Sequence, residues 1–156
     1  MDSYLKHYIN GKWVDSIGGK RHEVISPSTE EPCTEITLGT QADVDAAVSA
    51  ARQAFKTFSQ TSREERIALM NRIIEEYKKR IPDFAKSMAA EMGAPVSFAT
   101  MAQAPAGLGG FLGTLPALEN FAFKEQHGAN TVVYEPIGVV GLITPWNWPL
   151  NQIALK

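Results

Sequence analysis

The six residues at 144–149, Thr-Pro-Trp-Asn-Trp-Pro, combine residue types that suit chemistry. They follow a run that is apolar throughout, 137–143, and they contain no glycine, so they do not suit a glycine-rich phosphate loop. The Asn147 amide donates hydrogen bonds at every physiological pH. Such a donor, if aimed at a developing alkoxide, can act as an oxyanion-hole element. The alternative is that Asn147 caps a helix begun by Pro149, while the two tryptophans pack.

The elements around this stretch predict where it lies. The run 137–143 is typical of a parallel strand that is covered on both faces. Pro149 can begin a helix, with Leu150, Ile153 and Ala154 as its first apolar positions. Residues 144–148 would then form the loop at the carboxyl end of the strand, where open α/β sheets bind ligands.

Two capping boxes predict helices upstream. Thr40 and Asp43 precede apolar residues at helical spacing, which indicates an amphipathic helix of about 18 residues. Ser62 and Glu65 form the second capping box, before a second helix that should kink or restart at Pro82 and end near Gly93. The second helix carries its apolar residues on one face, and those of the first at helical spacing are Val44, Ala47, Val48, Ala51, Phe55 and Phe58.

The remaining segments predict a small β-layer and further helix. Asn10-Gly11 between β-forming residues indicates a hairpin, and 22–25 and 33–38 resemble short strands. Residues 96–123 are predicted to be helical in part, and 131–135 alternate like a half-exposed strand. Helices followed by a doubly buried strand indicate an α/β fold.

Composition excludes several classes of function. The chain has 156 residues, 44% of them hydrophobic, and a formal charge of −2, so nothing suggests binding to nucleic acid or to an anionic membrane. The uncharged stretches 92–118 and 136–155 contain prolines and amides that make poor membrane spans. One cysteine, Cys33, and no signal peptide favour a cytoplasmic location.

Other candidate sites are weak. The histidines at 7, 22 and 127 lack metal-ligand spacing, so we expect no zinc site. The glycine-rich run 107–113 lacks a preceding strand and has Leu112 where a dinucleotide fingerprint needs its third glycine, so close helix packing is the better interpretation. Cys33 lies beside acidic residues, which disfavour a thiolate, and we expect it to have no catalytic role.

The stretch "GVVGLITPWNWPLNQIALK" resembles a motif of the NAD(P)-dependent aldehyde dehydrogenase superfamily, in which a Pro-Trp-Asn-aromatic-Pro loop joins an apolar strand to a helix. The segments "YINGKWV", "VISPSTEE", "ADVDAAVSAARQAF" and "EPIGVVGLI" resemble the family in the same order. The resemblance covers essentially the whole chain. It implies a fold that comprises a β-hairpin, a helical layer and the start of a Rossmann-type NAD(P)-binding domain with an oligomerisation strand.

The resemblance also implies roles for single residues. Asn147 would donate to the oxyanion of a thiohemiacetal, and Lys156 matches a lysine associated with proton movement. The positions that would line the NAD or NADP site are Ile143, Thr144, Pro145 and Trp146. The positions that would face the aldehyde channel are Trp148, Asn151, Gln152 and Leu155. The family's reaction needs a nucleophilic cysteine, which Cys33 does not match.

The resemblance implies that the chain has three parts and lacks the family's catalytic domain. Residues 1–124 would belong to the cofactor-binding domain, 125–136 to the oligomerisation strand region, and 137–156 to the first strand, loop and helix of the NAD(P)-binding core. We expect an N-terminal fragment that is inactive alone, from a parent that forms homo-dimers or homo-tetramers. The alternative function is that of a truncated, non-catalytic chain that acts by oligomeric assembly.

Overall fold

Within residues 3–156, the fold consists of three small sheets and a helical layer. The structure is a computed structural model, and it describes residues 3–156. The strands are β1 (Ser3–Tyr4), β2 (Lys6–Ile9), β3 (Lys12–Asp15), β4 (Arg21–Ile25), β5 (Pro32–Thr37), β6 (Lys124–His127) and β7 (Asn130–Val133). The helices are α1 (Gln41–Phe58), α2 (Arg63–Met92), α3 (Val96–Phe98), α4 (Ala104–Asn120) and α5 (Pro149–Ala154), and a π-helical turn at Ala99–Gln103 joins α3 to α4.

The N-terminal β-layer forms where the sequence predicts it. β2 and β3 pair antiparallel across Asn10 and Gly11, and both of these residues have positive φ, at 53° and 75°. β5 lies between β1, which runs parallel to it, and β4, which runs antiparallel. The predicted strands 22–25 and 33–38 are confirmed to within a residue at each end.

Both predicted capping boxes are present. Thr40 accepts a hydrogen bond from the Asp43 backbone N–H while the Asp43 carboxylate accepts one from the Thr40 backbone, and Ser62 and Glu65 do the same for α2. α1 is 18 residues long, as predicted. α2 ends at Gly93, whose φ of 69° is the left-handed value that a helix-ending glycine adopts.

Two predictions about these helices need correction. Of the two outcomes predicted at Pro82, a kink or a restart, the restart is wrong. α2 continues through Pro82 as one helix of 30 residues, because the exposed proline costs one hydrogen bond while Ala85 and Met88 stay packed in the core. The predicted apolar face of α1 is only partly covered, and Val44 and Phe58 are exposed. Few of the described residues pack against α1, and its contacts are mainly with β2.

The core lies between α2, the π-helical turn and α4. Ala85, Met88, Ala99 and Ala104 form its buried cluster, and Leu150 of α5 packs against it. The Tyr77 hydroxyl donates to the backbone oxygen of Ala104 at 2.7 Å, which ties α2 to the start of α4, and burial raises the pKa of Tyr77 to about 12. None of the helices in the described part of the chain combines the length and hydropathy that crossing a bilayer requires.

The predicted strand 131–135 is observed as β7, at 130–133, and it pairs with β6 across a two-residue loop. The predicted strand 137–143 is not formed. A strand needs a neighbour to pair its backbone groups, and within residues 3–156 no strand lies beside this run. Its ends, Ile137 and Ile143, are 91% and 89% exposed, rather than buried on both faces as predicted.

Candidate functional site

The loop 144–148 joins the extended run 137–143 to α5. Pro149 is the first helical residue, as predicted, and Trp148 occupies the position before it with φ −142° and ψ 65°. These values lie outside the helical region, so the helix begins directly after Trp148. The predicted order of loop and helix is therefore confirmed, while the strand that should precede them is not formed.

Helix α5 fixes one end of this loop. Leu150 packs against the buried cluster of α2 and α4. A Cβ atom added at Gly107 would lie 2.8 Å from the Leu150 backbone oxygen, and one added at Gly110 would lie 3.3 Å from the Ala154 Cβ. The absence of side chains at these glycines lets α4 and α5 approach closely, which confirms the packing interpretation of the glycine-rich run for these two positions.

Asn147 is exposed, and it does not cap α5. The N-cap of that helix is Trp148, and among the described residues no side chain donates to or accepts from its first turn as a cap. The capping alternative is therefore wrong for this structure. The Asn147 amide lies on the surface at the start of a helix that is anchored in the core, and it is accessible to a ligand.

A cavity of about 360 Å³ lies beside the loop. Trp146, Pro149 and Leu150 line it from the loop side, and Phe84, Met88 and Glu91 are among the residues that line it from α2. Burial raises the pKa of the Glu91 carboxyl. A larger concavity of about 690 Å³ follows the flank of α2 around Ile73 and Tyr77, and none of the predicted site residues lines it.

The predicted cofactor-site residues lie together in sequence and are all exposed. Ile143 and Trp146 are 89% and 79% exposed, and Thr144 and Pro145 between them are also on the surface. Their side chains carry no charge. The structure therefore places an open, largely apolar surface at these four positions, next to Asn147.

The predicted channel residues lie on α5 and at its two ends, with Trp148 just before the helix and Leu155 just after it. Asn151 and Gln152 are half-buried, whereas Leu155 is exposed. The Lys156 ammonium donates to the Gln152 side-chain oxygen at 3.1 Å, so the structure brings these two predicted site residues together.

Trp148 makes an aromatic contact that the sequence did not suggest. Its ring meets the Phe98 ring edge to face, with centroids 5.7 Å apart and an interplanar angle of 78°. Phe98 ends α3, immediately before the π-helical turn, and lies 50 positions away from Trp148 in the sequence. The sequence offered only one indication of this contact, which is that Phe98 is an aromatic residue within the segment 96–123, predicted to be helical in part.

Cys33 lies in the β-layer rather than in this loop. It belongs to β5, rather than to a turn, and its thiol donates to the Val24 backbone oxygen of β4 at 3.3 Å. The three histidines lie on β2, β4 and β6, and residues 3–156 hold no group of three His, Cys, Asp or Glu side chains placed to bind a metal ion.

Known proteins are similar to this chain in both sequence and fold. The profile described as "Aldehyde dehydrogenase family" matches residues 13–156. The chain belongs to the aldehyde dehydrogenase family. It is 48% identical to a 3-succinoylsemialdehyde-pyridine dehydrogenase of Pseudomonas sp., over 100% of this chain and 33% of that protein.

Two solved structures give the same result. An aldehyde dehydrogenase from Bartonella henselae matches with a TM-score of 0.96 and 44% identity over 100% of this chain and 34% of that one. Aldehyde dehydrogenase C from Pseudomonas syringae, as a C291A mutant complexed with NAD+ and octanal, matches with a TM-score of 0.94 and 39% identity over 96% of this chain and 31% of that one. The chain thus has the α/β fold of the N-terminal part of the family, and it spans about a third of the length of these aldehyde dehydrogenases.

Proposed function

We propose that this chain is the N-terminal portion of an NAD(P)-dependent aldehyde dehydrogenase that oxidises an aldehyde to a carboxylate. The observation that carries the proposal is the exposed Asn147 amide, held at the start of a core-anchored helix and left free of any capping role. The relatives support it, since every one of the three described above is an aldehyde dehydrogenase.

The proposed chemistry assigns Asn147 to the oxyanion. A cysteine thiolate in the part of the enzyme outside this chain attacks the aldehyde carbon, and the carbonyl oxygen becomes the thiohemiacetal oxyanion. The Asn147 amide N–H donates to that oxygen, which stabilises charge that develops only as the reaction proceeds. Return of the electron pair expels hydride and leaves a thioester, which water hydrolyses to the carboxylate and the free thiol. The nicotinamide cofactor supplies the hydride acceptor when it is bound.

The surface at Ile143, Thr144, Pro145 and Trp146 is suited to contact with a flat ring such as nicotinamide. It is apolar, exposed and uncharged, and its backbone amides and carbonyls remain available because no strand pairs with them among the described residues. We infer that these four residues form one wall of the NAD or NADP site. The Pseudomonas syringae relative is complexed with NAD+, which supports NAD as the cofactor.

Helix α5 would form part of the aldehyde channel. Asn151 and Gln152 on the helix, with Trp148 and Leu155 on either side of it, present two amide, one aromatic and one aliphatic side chain. We infer that Lys156 assists proton movement at this end of the site, with the Gln152 amide holding its ammonium group. One relative is a dehydrogenase of a semialdehyde of a pyridine compound and another is complexed with octanal, which supports a proposed substrate class that includes aldehydes with and without an aromatic group.

Substitution Asn147→Ala in the full-length protein that carries this sequence tests the proposal. Turnover of an aldehyde with NAD+ should fall about 100- to 1000-fold, the usual cost of losing one oxyanion donor. The dissociation constant for NAD+, measured by fluorescence titration, should change less than about twofold. These two results together separate loss of the oxyanion donor from a damaged cofactor site.

Asn120→Ala is the matched control. The Asn120 amide donates to the Pro116 backbone oxygen at the exposed end of α4, so its loss removes an asparagine without touching the loop. Turnover equal to wild type in Asn147→Ala would refute the oxyanion role. Absence of NAD(P)-dependent aldehyde oxidation in the wild-type protein would refute the dehydrogenase proposal as a whole.

A second candidate function is assembly without catalysis, and the β6–β7 hairpin favours it. Val132, Val133 and Tyr134 are exposed at the end of this hairpin, where an unpaired strand edge can join another sheet. A complete enzyme of this kind would use the same strand to form a homo-dimer or homo-tetramer. The two candidates can be distinguished by sedimentation of the 156-residue chain mixed with the full-length protein. Co-sedimentation of the two, with the aldehyde-oxidising activity of the full-length protein unchanged, favours assembly.

A cytoplasmic location belongs to the same proposal. The chain carries one cysteine, and its thiol is engaged with the Val24 backbone oxygen, so the fold does not depend on a disulfide within the chain. A reducing compartment would also keep the nucleophilic cysteine of the complete enzyme in its thiol form.

A further inference from the structure

The aromatic contact between Phe98 and Trp148 joins two parts of the molecule that are remote in sequence. Phe98 belongs to the segment that leads into the π-helical turn, and Trp148 is the last residue before α5. Their rings are nearly perpendicular, at 78°, with centroids 5.7 Å apart. This is the edge-to-face arrangement that aromatic pairs favour, in which the positive edge of one ring meets the negative face of the other.

The Phe98 side of the contact has a rigid base. The next residue, Ala99, is fully buried in the core cluster, and Ala104, which follows the π-helical turn as the first residue of α4, is also fully buried. The hydrogen bond from the Tyr77 hydroxyl to the Ala104 backbone oxygen ties the start of α4, directly after this turn, to α2. The backbone at Phe98 therefore has little freedom to move, whereas its own ring remains 43% exposed.

The orientation of the Trp148 ring depends on its contact with Phe98. Trp148 lies outside the regular helix, as its N-cap residue. The ring is half-buried and meets Phe98 as its aromatic neighbour. Removing the Phe98 ring would leave an aromatic side chain at the edge of the loop without the contact that selects its orientation.

We propose that Phe98 is a positioning residue that fixes the Trp148 ring as one wall of the aldehyde channel and so selects aldehydes that carry an aromatic group. The inference rests on the proposed function, since it concerns the substrate of the same site. A planar aryl group can stack on an indole face held at a fixed angle, and it gains a geometry-dependent attraction that an aliphatic chain of similar area does not. The preference therefore depends on the orientation of Trp148.

The experiment uses the full-length protein with Phe98→Leu, and it compares benzaldehyde with butanal as substrates. We expect the KM for benzaldehyde to rise about 2- to 10-fold, the equivalent of one aromatic pair contact. We expect kcat and KM for butanal and the KM for NAD+ to stay within about twofold of wild type. Phe98→Tyr keeps the ring and should restore the benzaldehyde KM.

Two further variants serve as controls for the Phe98→Leu measurement. Phe98→Met, which has an unbranched side chain of similar volume, repeats the measurement so that the result does not depend on the folding of the leucine variant alone. Met101→Leu changes an exposed side chain in the adjacent π-helical turn and should leave both substrates unaffected.

The outcomes are distinct. An equal change for both aldehydes, or no change for either, in an active protein would overturn the role of Phe98 while leaving the proposed function intact. Failure of Phe98→Tyr to restore the benzaldehyde KM would overturn it as well. Absence of aldehyde oxidation in the wild-type protein would instead overturn the proposed function, and the present inference with it.

Discussion

At the start of α1, the Asp43 carboxylate accepts hydrogen bonds from the Ser16 hydroxyl, from the Ile17 backbone N–H at 2.9 Å and from the Thr40 backbone N–H at 2.8 Å. The Ser16 hydroxyl, followed by the two backbone groups, holds the pKa of this carboxyl far below its usual range. The residue is buried, and it connects the chain after β3 to the first helix. One side chain thus serves both as half of a capping box and as a tertiary contact.

Asp43→Asn should make the stability of the chain less dependent on acid pH. The folded-state pKa of Asp43 is depressed, so its contribution is present above the unfolded value of about 3.9 and is lost as the pH falls towards the folded value. The urea midpoint of the wild-type chain should therefore fall between pH 5 and pH 3 by more than that of Asp43→Asn. At pH 7 the variant should be the less stable of the two.

Asp45→Asn on the same helix is the control for that prediction. Asp45 is exposed, and its carboxylate accepts from the Gln41 amide one turn away. This variant should keep the wild-type dependence of the urea midpoint on pH. A wild-type midpoint that is flat between pH 5 and pH 3 would contradict the role assigned to Asp43.

At the scale of single elements, α4 shows how glycines on one helix have different roles. Gly107 packs against the Tyr77 hydroxyl and the Leu150 backbone, whereas an added Cβ at Gly109 would meet nothing within 4 Å. The first glycine permits α4 to contact α2 and α5 together. The second only weakens the helix, because glycine loses more backbone entropy on folding than alanine does.

Alanine substitutions at these two positions should therefore have opposite effects. Gly107→Ala should lower the free energy of unfolding by about 1–3 kcal/mol, the usual cost of overpacking. Gly109→Ala should raise it by about 0.5–1 kcal/mol, because it removes a glycine from an exposed helix position. Urea denaturation followed by circular dichroism measures both, and a stabilising effect of Gly107→Ala would show that α4 and α5 are not held together at that residue.

At the scale of the whole molecule, apolar surface is concentrated where the predicted NAD(P)-binding core begins. Ile137, Val140, Leu142 and Ile143 are more than half exposed, as are Trp146, Ile153 and Leu155. Exposed apolar patches of this kind mark surfaces that contact other protein. The chain matches about a third of the length of its relatives, so a covering surface supplied by further polypeptide fits the same proposal.

The isolated chain should therefore self-associate at micromolar concentration. Sedimentation velocity should show species larger than the 17.1 kDa monomer, and the double variant Ile137→Ser, Ile143→Ser should shift the distribution towards monomer. Met101→Ser removes an apolar side chain that is 77% exposed on the π-helical turn, away from the run 137–143, and should leave the distribution unchanged. A wild-type chain that sediments as a monomer at every concentration would contradict this prediction.

The sequence by itself determined the features that depend on local chemistry. The capping boxes at Thr40 and Ser62, the Asn10-Gly11 hairpin and the helix beginning at Pro149 follow from hydrogen bonds and backbone preferences within a few residues. The family also followed from the sequence, through the Pro-Trp-Asn motif at 145–147. The roles of Asn147 and Lys156 in catalysis stay predictions.

Only the tertiary structure decided the features that join distant residues. The bonds from Ser16 and Ile17 to Asp43, the contact of Phe98 with Trp148 and the fit of Gly107 against Leu150 each join residues that lie far apart in the sequence. The run 137–143 shows the converse case, in which a strong local pattern is not enough. Its residues favour a buried strand, but a strand forms only where a neighbouring strand satisfies its backbone groups, and residues 3–156 provide none there.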